Sequence, residues 1–278
     1  VREPNADVLR VAGRQPWQDE TPAASSHTIG SMEATLPTVD EAPVRIVVNG
    51  RITSVTSCTP DRLEALAAGW LLAEGYIRSA ADLASLSSEA TSDGLFTVRA
   101  ECDPYLAAAA DAVRRHRGEH GCGPLYGVKC DPSVLHGPAR SLALPAPELV
   151  PGLLQALFGT TDRFRDTGGM HAAALSDGTS LVHAVTDVSR HAAVDKAIGL
   201  AVLAEADLAR LGLVISSRIS GEIAWKGARC GVAWIVSRSI PTTLAVQVAE
   251  AAGMPIVARG GSRQAHVYVP DTTRRPQS

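Results

Sequence analysis

From residue 171 onward, strand-length and helix-length segments alternate in an order that few folds accept. HAAALS (171–176) and SLVHAVT (180–186) flank Asp177-Gly178 and read as a hairpin. A helix-length segment spans about 190 to 206, followed by the strand GLVISS, a helix near 220–229 and the strand VAWIVS. A helix near 241–252 and short strands at PIVA and HVYV close the chain. A hairpin, then alternating helices and strands, then a closing pair predict a layered α/β domain. Ligand loops in such domains follow the C-terminal ends of strands. Here those ends carry Ser216, Ser217 and Arg218, then Ser237 and Arg238, then Arg259, Gly260 and Gly261. Polar and basic strand ends predict a polar or anionic ligand.

The first half is less regular. Residues 1–40 are polar, carry Pro and Ser without periodicity, and are expected to form a partly disordered arm. VRIVVNG and RITSVTS form a second hairpin around Asn49-Gly50. Thr59-Pro60-Asp61 opens a helix with proline in its first turn, buried through Leu63, Leu66, Ala67, Trp70 and Leu71. A strand at 95–100 and an Ala-rich helix near 105–115 complete a smaller α+β domain over 41–115. Residues 116–146, rich in Gly, Pro and His, read as a loop or hinge, and 147–278 as the C-terminal α/β domain.

Composition excludes several classes. A net charge of −3 over 278 residues argues against a nucleic-acid surface. No apolar run is long enough to span a bilayer, and the N-terminus lacks the charged-then-apolar order of a secretory signal. Five irregularly spaced cysteines do not make a disulfide framework, so a reducing cytoplasm is the expected location. No two cysteines stand two to four residues apart, so no zinc set is expected and no metal site is assigned.

Within HGCGPLYG, Cys122 sits between Gly121 and Gly123, where little bulk surrounds the thiol. A free thiol with a pKa near ~8.5 is only slightly ionised at neutral pH. Arg114, Arg115, His116, Arg117 and His120 lie just upstream and would lower that value if folded nearby. Cys122 therefore reads either as a presented nucleophile or as an incidental loop cysteine; Cys130 reads as a loop thiol that could relay sulfur. Cys58, Cys102 and Cys230 read as packing residues at element ends. Gly168-Gly169 before His171 allow close approach of a ligand or simply form a turn. In DVSRHAAVDK, Arg190, His191, Asp195 and Lys196 form either a site or a solvated first turn. Ser220 caps the next helix with Glu222 in its first turn, and Arg218 beside it suits a phosphate as well as a plain surface. Arg259 and Arg263 around Gly260-Gly261 suit a pyrophosphate.

Taken in order, VNG…TPDRLEALAAGWLLAEGYI, GCG, TGGMHAAAL, DVSRHAAVDK, SSRISGEIAWK and SIPTTLAVQVAE resemble the formate dehydrogenase accessory sulfurtransferases of the FdhD/NarQ family, from about residue 41 to 270. The resemblance implies a cytidine-deaminase-like C-terminal domain and a homodimer. It implies a sulfurtransferase that accepts persulfide sulfur from a cysteine desulfurase. The sulfur then passes to the bis-guanine-dinucleotide molybdenum cofactor of formate dehydrogenase or a related molybdoenzyme. Cys122 falls on the family's persulfide-bearing cysteine, and Arg259, Gly260, Gly261, Ser262, Arg263 and Gln264 on its cofactor loop. Arg218, Ser220 and His171 are taken as further cofactor-binding residues.

Two departures stand out. Leu125 occupies the place of a second cysteine found in many members, and Arg259 that of an aromatic residue found in some. A molybdenum-cofactor chaperone without sulfur transfer is therefore the competing reading. A zinc deaminase is rejected, because Ala173 stands where His171 would need a glutamate two residues on and no Cys-x-x-Cys is present. A cysteine hydrolase pairing Cys122 with His171 or His191 is a third possibility.

Overall fold

The computed structural model describes residues 38–91, 95–117, 141–159, 168–262 and 265–268, with the side chains of 115–117 left aside. The smaller sheet begins with β1 (Ala42–Val48) and β2 (Arg51–Cys58), joined by Asn49 at φ 48° and Gly50 at φ 75°. Two consecutive positive φ values make the tight turn that matches strand twist, which is why Asn-Gly stands there. β3 (Leu83–Ala90) and β4 (Phe96–Cys102) complete the order β2-β1-β4-β3, with β1 and β4 parallel.

Helix α1 (Leu63–Glu74) starts later than the sequence implies. Thr59, Pro60 and Asp61 form a turn instead, with Asp61 N donating to Thr59 O at 2.8 Å. That turn is held by the buried Lys196, whose Nζ donates to Thr59 O and Asp61 Oδ1. Helix α2 (Pro104–Arg117) meets α1 through the Arg114 guanidinium 4.7 Å above the Trp70 ring, and Tyr76 just beyond α1 donates its Oη hydrogen to Asp111 (2.5 Å).

The larger sheet has the order β10-β9-β8-β7-β5-β6. β5 (His171–Ser176) and β6 (Leu181–Asp187) form the expected hairpin, and Asp177 Oδ1 accepts from Thr179 N and Ser180 N at 2.8 Å each. β7 (Gly212–Ile215), β8 (Ile235–Ser237) and β9 (Ile256–Ala258) run parallel, and β10 (His266–Tyr268) closes antiparallel to β9. Helices α4 (Arg190–Leu203), α5 (Gly221–Cys230) and α6 (Thr243–Ala252) connect these strands. The layered α/β reading of the sequence is thus borne out. Helix α3 (Val150–Gly159) and strand β3 are additions to it.

Alternation sorts the sheet's two faces. Ala173, Leu175, Leu213, Ile215, Ile235 and Ile256 join α1, α4, α5 and α6 in one core, which also takes in Val44, Ile46 and Val98 of the smaller sheet. Ala172, Ala174, Val214, Trp234, Val236 and Val257 pack under α3. Helices α1 and α4 cross with their backbones in contact. A Cβ added to Gly69 would overlap the Asp195 carbonyl, and one on Gly199 would overlap that of Ala65.

Candidate functional site

Topology collects the polar strand ends on one edge. β7 and β8 are parallel, and each runs into a helix at its C-terminal end. β5 is antiparallel to β7, so its first residue, His171, falls at the same edge, paired in register with Asp187 at the end of β6. Three helices therefore begin here, each capped by a hydroxyl. Ser189 Oγ accepts from Ala192 N (3.4 Å), Ser220 Oγ from Ile223 N (3.3 Å) and Thr242 Oγ1 from Ala245 N (3.2 Å). Helix N-termini carry partial positive charge and favour anions.

The serines and arginines of these loops divide the work. Ser216 Oγ accepts from Ala172 N (2.9 Å), Ser237 Oγ donates to Ser217 O (2.6 Å), and Ser239 N donates to Ser237 Oγ (2.9 Å). The β7–α5 and β8–α6 loops are also laced by Ile219 N to Ile240 O (3.2 Å) and Thr242 N to Ile219 O (2.9 Å). With the loops held this way, Arg218, Arg238 and Arg259 stand exposed at the ends of three adjacent strands. Arg238 lies 5.5 Å from the Phe158 ring centroid, which supports a cation–π contact. Arg259 adopts φ 52° and Gly261 φ 77°, forming a turn in which Ser262 N donates to Arg259 O at 3.1 Å. Gly260 packs closely against α3: a Cβ there would meet the side-chain methyls of Val150 and Leu154 at 2.9 Å and push them aside.

Behind this edge lies a two-tier polar ladder between α4 and α5. In the upper tier, His191 Nε2 is 3.2 Å from Glu222 Oε2 and 3.4 Å from Ser220 Oγ. Burial, then the Lys226 and Arg190 cations, pushes the His191 imidazole down to about 3, so the ring is neutral. Burial also raises Glu222. One turn deeper on each helix, Lys226 Nζ donates to Asp195 Oδ1 and Oδ2 at 2.8 and 2.9 Å. Asp195, Glu222 and Glu74 together hold Lys226 charged against burial. Lys196 points the other way. Its Nζ donates to Thr59 O and Asp61 Oδ1, both at 2.8 Å, and lies 2.6 Å from the fully buried Asp187. His171 is depressed by burial and then by Arg190, with Asp187 opposing.

The structure thus brings His171, Arg218, Ser220, Arg259, Gly260, Gly261 and Ser262 to one edge, while Cys122, Cys130, Arg263 and Gln264 lie outside the described residues. Cys58, Cys102 and Cys230 are buried, and burial pushes the thiols of Cys58 and Cys230 up to about 12. Such thiols stay protonated and out of reach. Among the described residues, no cluster of three His, Cys, Asp or Glu is placed to hold a metal ion, and no helix is long and apolar enough to cross a membrane. The pairing of His191 with Glu222 escaped sequence reasoning. The available signal was that His191 and Glu222 each stand in the first turn of a capped helix following a strand of one sheet.

The chain matches the FdhD/NarQ family over residues 39–274. It is 33% identical over 228 residues to the sulfur carrier protein FdhD of Burkholderia mallei, covering 78% of this chain and 82% of that protein. It is 35% identical over 235 residues to the protein of the same name from Xanthomonas euvesicatoria pv. vesicatoria, covering 82% of each. In fold it is similar to a crystal structure from Desulfotalea psychrophila, assigned as a formate dehydrogenase accessory protein. The TM-score is 0.65 at 23% identity, over 84% of this chain and 88% of the other.

Proposed function

The chain belongs to the FdhD/NarQ family, and from that premise we propose that it is a sulfur carrier for formate dehydrogenase maturation, loaded on Cys122. In the loading step, the Cys122 thiolate attacks the outer sulfur of a cysteine desulfurase persulfide. The S–S bond of the donor breaks, the donor cysteine leaves as a thiolate, and Cys122 holds the persulfide. No net oxidation occurs. The sulfur is then delivered to the bis-guanine-dinucleotide molybdenum cofactor, which is the substrate and not a resident group. Delivery takes place in the cytoplasm, by a homodimer.

The observation that carries this reading is the convergence of Arg218, Arg238, Arg259 and three helix N-termini on one edge, a surface suited to pyrophosphates. Burial of Cys58, Cys102 and Cys230 leaves Cys122 and Cys130 for the sulfur chemistry, and the family resemblance favours Cys122. Arg218, Arg238, Arg259 and Ser262 would contact the phosphates; Ser220 and Gly260 support the loops that present them. His171 and the neutral His191 flank the same edge.

The test is intact mass spectrometry after incubation with an active cysteine desulfurase and cysteine, wild type beside Cys122→Ala. The expected result is a reductant-sensitive gain of sulfur that the variant lacks. No gain would overturn the carrier reading and favour a cofactor-binding chaperone, the alternative raised by Leu125 in place of a second cysteine.

A further inference from the structure

The arginines account for one half of the polar edge. β7, β8 and β9 are neighbours about 4.8 Å apart, so Arg218, Arg238 and Arg259 spread over roughly 10 Å at their ends, enough for a diphosphate. One strand beyond β7 lies β5, and there the edge changes character. Its side chains at that end include two imidazoles, His171 at the start of β5 and His191 in the first turn of α4.

His191 is held through one of its two nitrogens. Nε2 lies 3.2 Å from Glu222 Oε2 and 3.4 Å from Ser220 Oγ, both at the start of α5. Burial raises the Glu222 carboxyl, and the Lys226 cation one turn on opposes that rise. A neutral imidazole facing a carboxylate donates to it, so the ring proton belongs on Nε2. At about pH 8 an ordinary histidine is already neutral, and burial, with Lys226 and Arg190 nearby, keeps this one so. Nδ1 then carries the lone pair. Among the described residues no hydrogen bond reaches it, and 22% of the side-chain surface remains exposed. The edge thus offers a fixed acceptor beside its cations. An ionised phosphate has no proton to give to such an acceptor, whereas a ring N–H does.

We infer that His191 binds the base of a guanine nucleotide, with Nδ1 accepting a ring N–H, and that Glu222 is the positioning residue that fixes the tautomer. The ligand then lies along the edge with its phosphates on the arginines and its base toward α4. This inference rests on the reading of the arginine edge as a pyrophosphate surface, and not on the loading of Cys122.

The test is calorimetric titration of the full chain with guanosine diphosphate and with inorganic pyrophosphate, both of which wild type should bind. His191→Phe keeps the bulk of the ring and removes both nitrogens. It should weaken guanosine diphosphate about three- to tenfold, the size of one lost hydrogen bond, and leave pyrophosphate within about twofold. Glu222→Leu should do the same, and Glu222→Gln, whose amide oxygen still accepts from Nε2, should restore most of the loss. Nitrogen NMR of the histidine-labelled chain gives a second readout. His191 should show a pyridine-like Nδ1 and a pyrrole-like Nε2 in wild type and Glu222→Gln, and a mixture in Glu222→Leu. Guanosine diphosphate should shift Nδ1 and pyrophosphate should not. Equal loss of both probes in His191→Phe, unchanged guanosine diphosphate binding, or an unmoved Nδ1 overturns this inference alone. Wild type that binds neither probe removes the pyrophosphate reading of the edge, and this inference with it.

Discussion

Replacing Gly199 with alanine separates backbone sterics from helix propensity, because the two predict opposite signs. In a helix free of neighbours, Gly to Ala is favourable by about 1 kcal/mol. In this protein a Cβ on Gly199 would overlap the Ala65 carbonyl oxygen and lie 2.8 Å from the Gly69 nitrogen. Both obstacles are helix backbone and cannot rotate aside. The α1–α4 crossing must therefore open, carrying the Lys196 hydrogen bonds to Thr59 and Asp61 with it. Overpacking usually costs about 1–3 kcal/mol and more where nothing can yield. After the propensity gain is subtracted, the expected net loss is about 2 kcal/mol or more, a large part of a typical stability of about 5–15 kcal/mol. Urea unfolding of Gly199→Ala beside Gly152→Ala is the assay. Gly152 sits in α3 with nothing within 4 Å of an added Cβ, so alanine there should be neutral or stabilising. A lower midpoint at unchanged slope is expected for Gly199→Ala alone. If both variants are neutral or stabilised, the crossing is looser than described and the steric argument fails.

Three further outcomes follow from the ladder and the edge. Lys226→Met should destabilise by about 3–5 kcal/mol, because it strands the buried Asp195 carboxylate, whereas Asp195→Leu with Lys226→Met should recover most of that loss; thermal unfolding of the two variants decides it. His191 has a folded value of about 3 against 6.5 for the free side chain, so the unfolded chain binds the extra proton. Stability from this group is complete above 6.5 and is lost as pH falls from there toward 3. His191→Gln should flatten that acid limb by a few kcal/mol, while Glu222→Gln, removing a group raised by burial, should steepen it; urea midpoints across the window check both signs. Neutralising Arg238 or Arg259 should weaken guanosine diphosphate binding about tenfold each and reduce its salt dependence, measured by calorimetry at two ionic strengths.

What the chain's own pattern reveals depends on how local the determining contacts are. The Asn49-Gly50 and Asp177-Gly178 turns are legible because their backbone requirements lie within a few residues. The edge itself was legible, since each Arg follows its strand within three residues and topology does the gathering. Strand β3 was not, because LASLSSEA carries no alternation and owes its extended form to pairing with β4. Helix α3 hides behind Pro151 and Gly152, which look like breakers but stand in a first turn that tolerates them.

The run Asp195-Lys196 shows the limit most clearly. Read along the chain, it fits a solvated helix start. In the fold, neighbours about 100° apart on α4 face different elements. Asp195 meets Lys226, 31 residues away, on α5, and Lys196 meets Thr59, 137 residues away, under α1. No spacing rule joins residues so distant. Their consequence is mechanical as well as electrostatic. The Lys196–Asp187–Asp61 pairings fasten the β2–α1 turn to the end of β6, and the Asp195–Lys226 pair fastens α4 to α5. Between those two fastenings lies the first turn of α4, which carries Arg190 and His191 at the arginine edge. A charge removed from either fastening should therefore alter the site as well as the core, and the smaller sheet's loop belongs to the machinery that positions it.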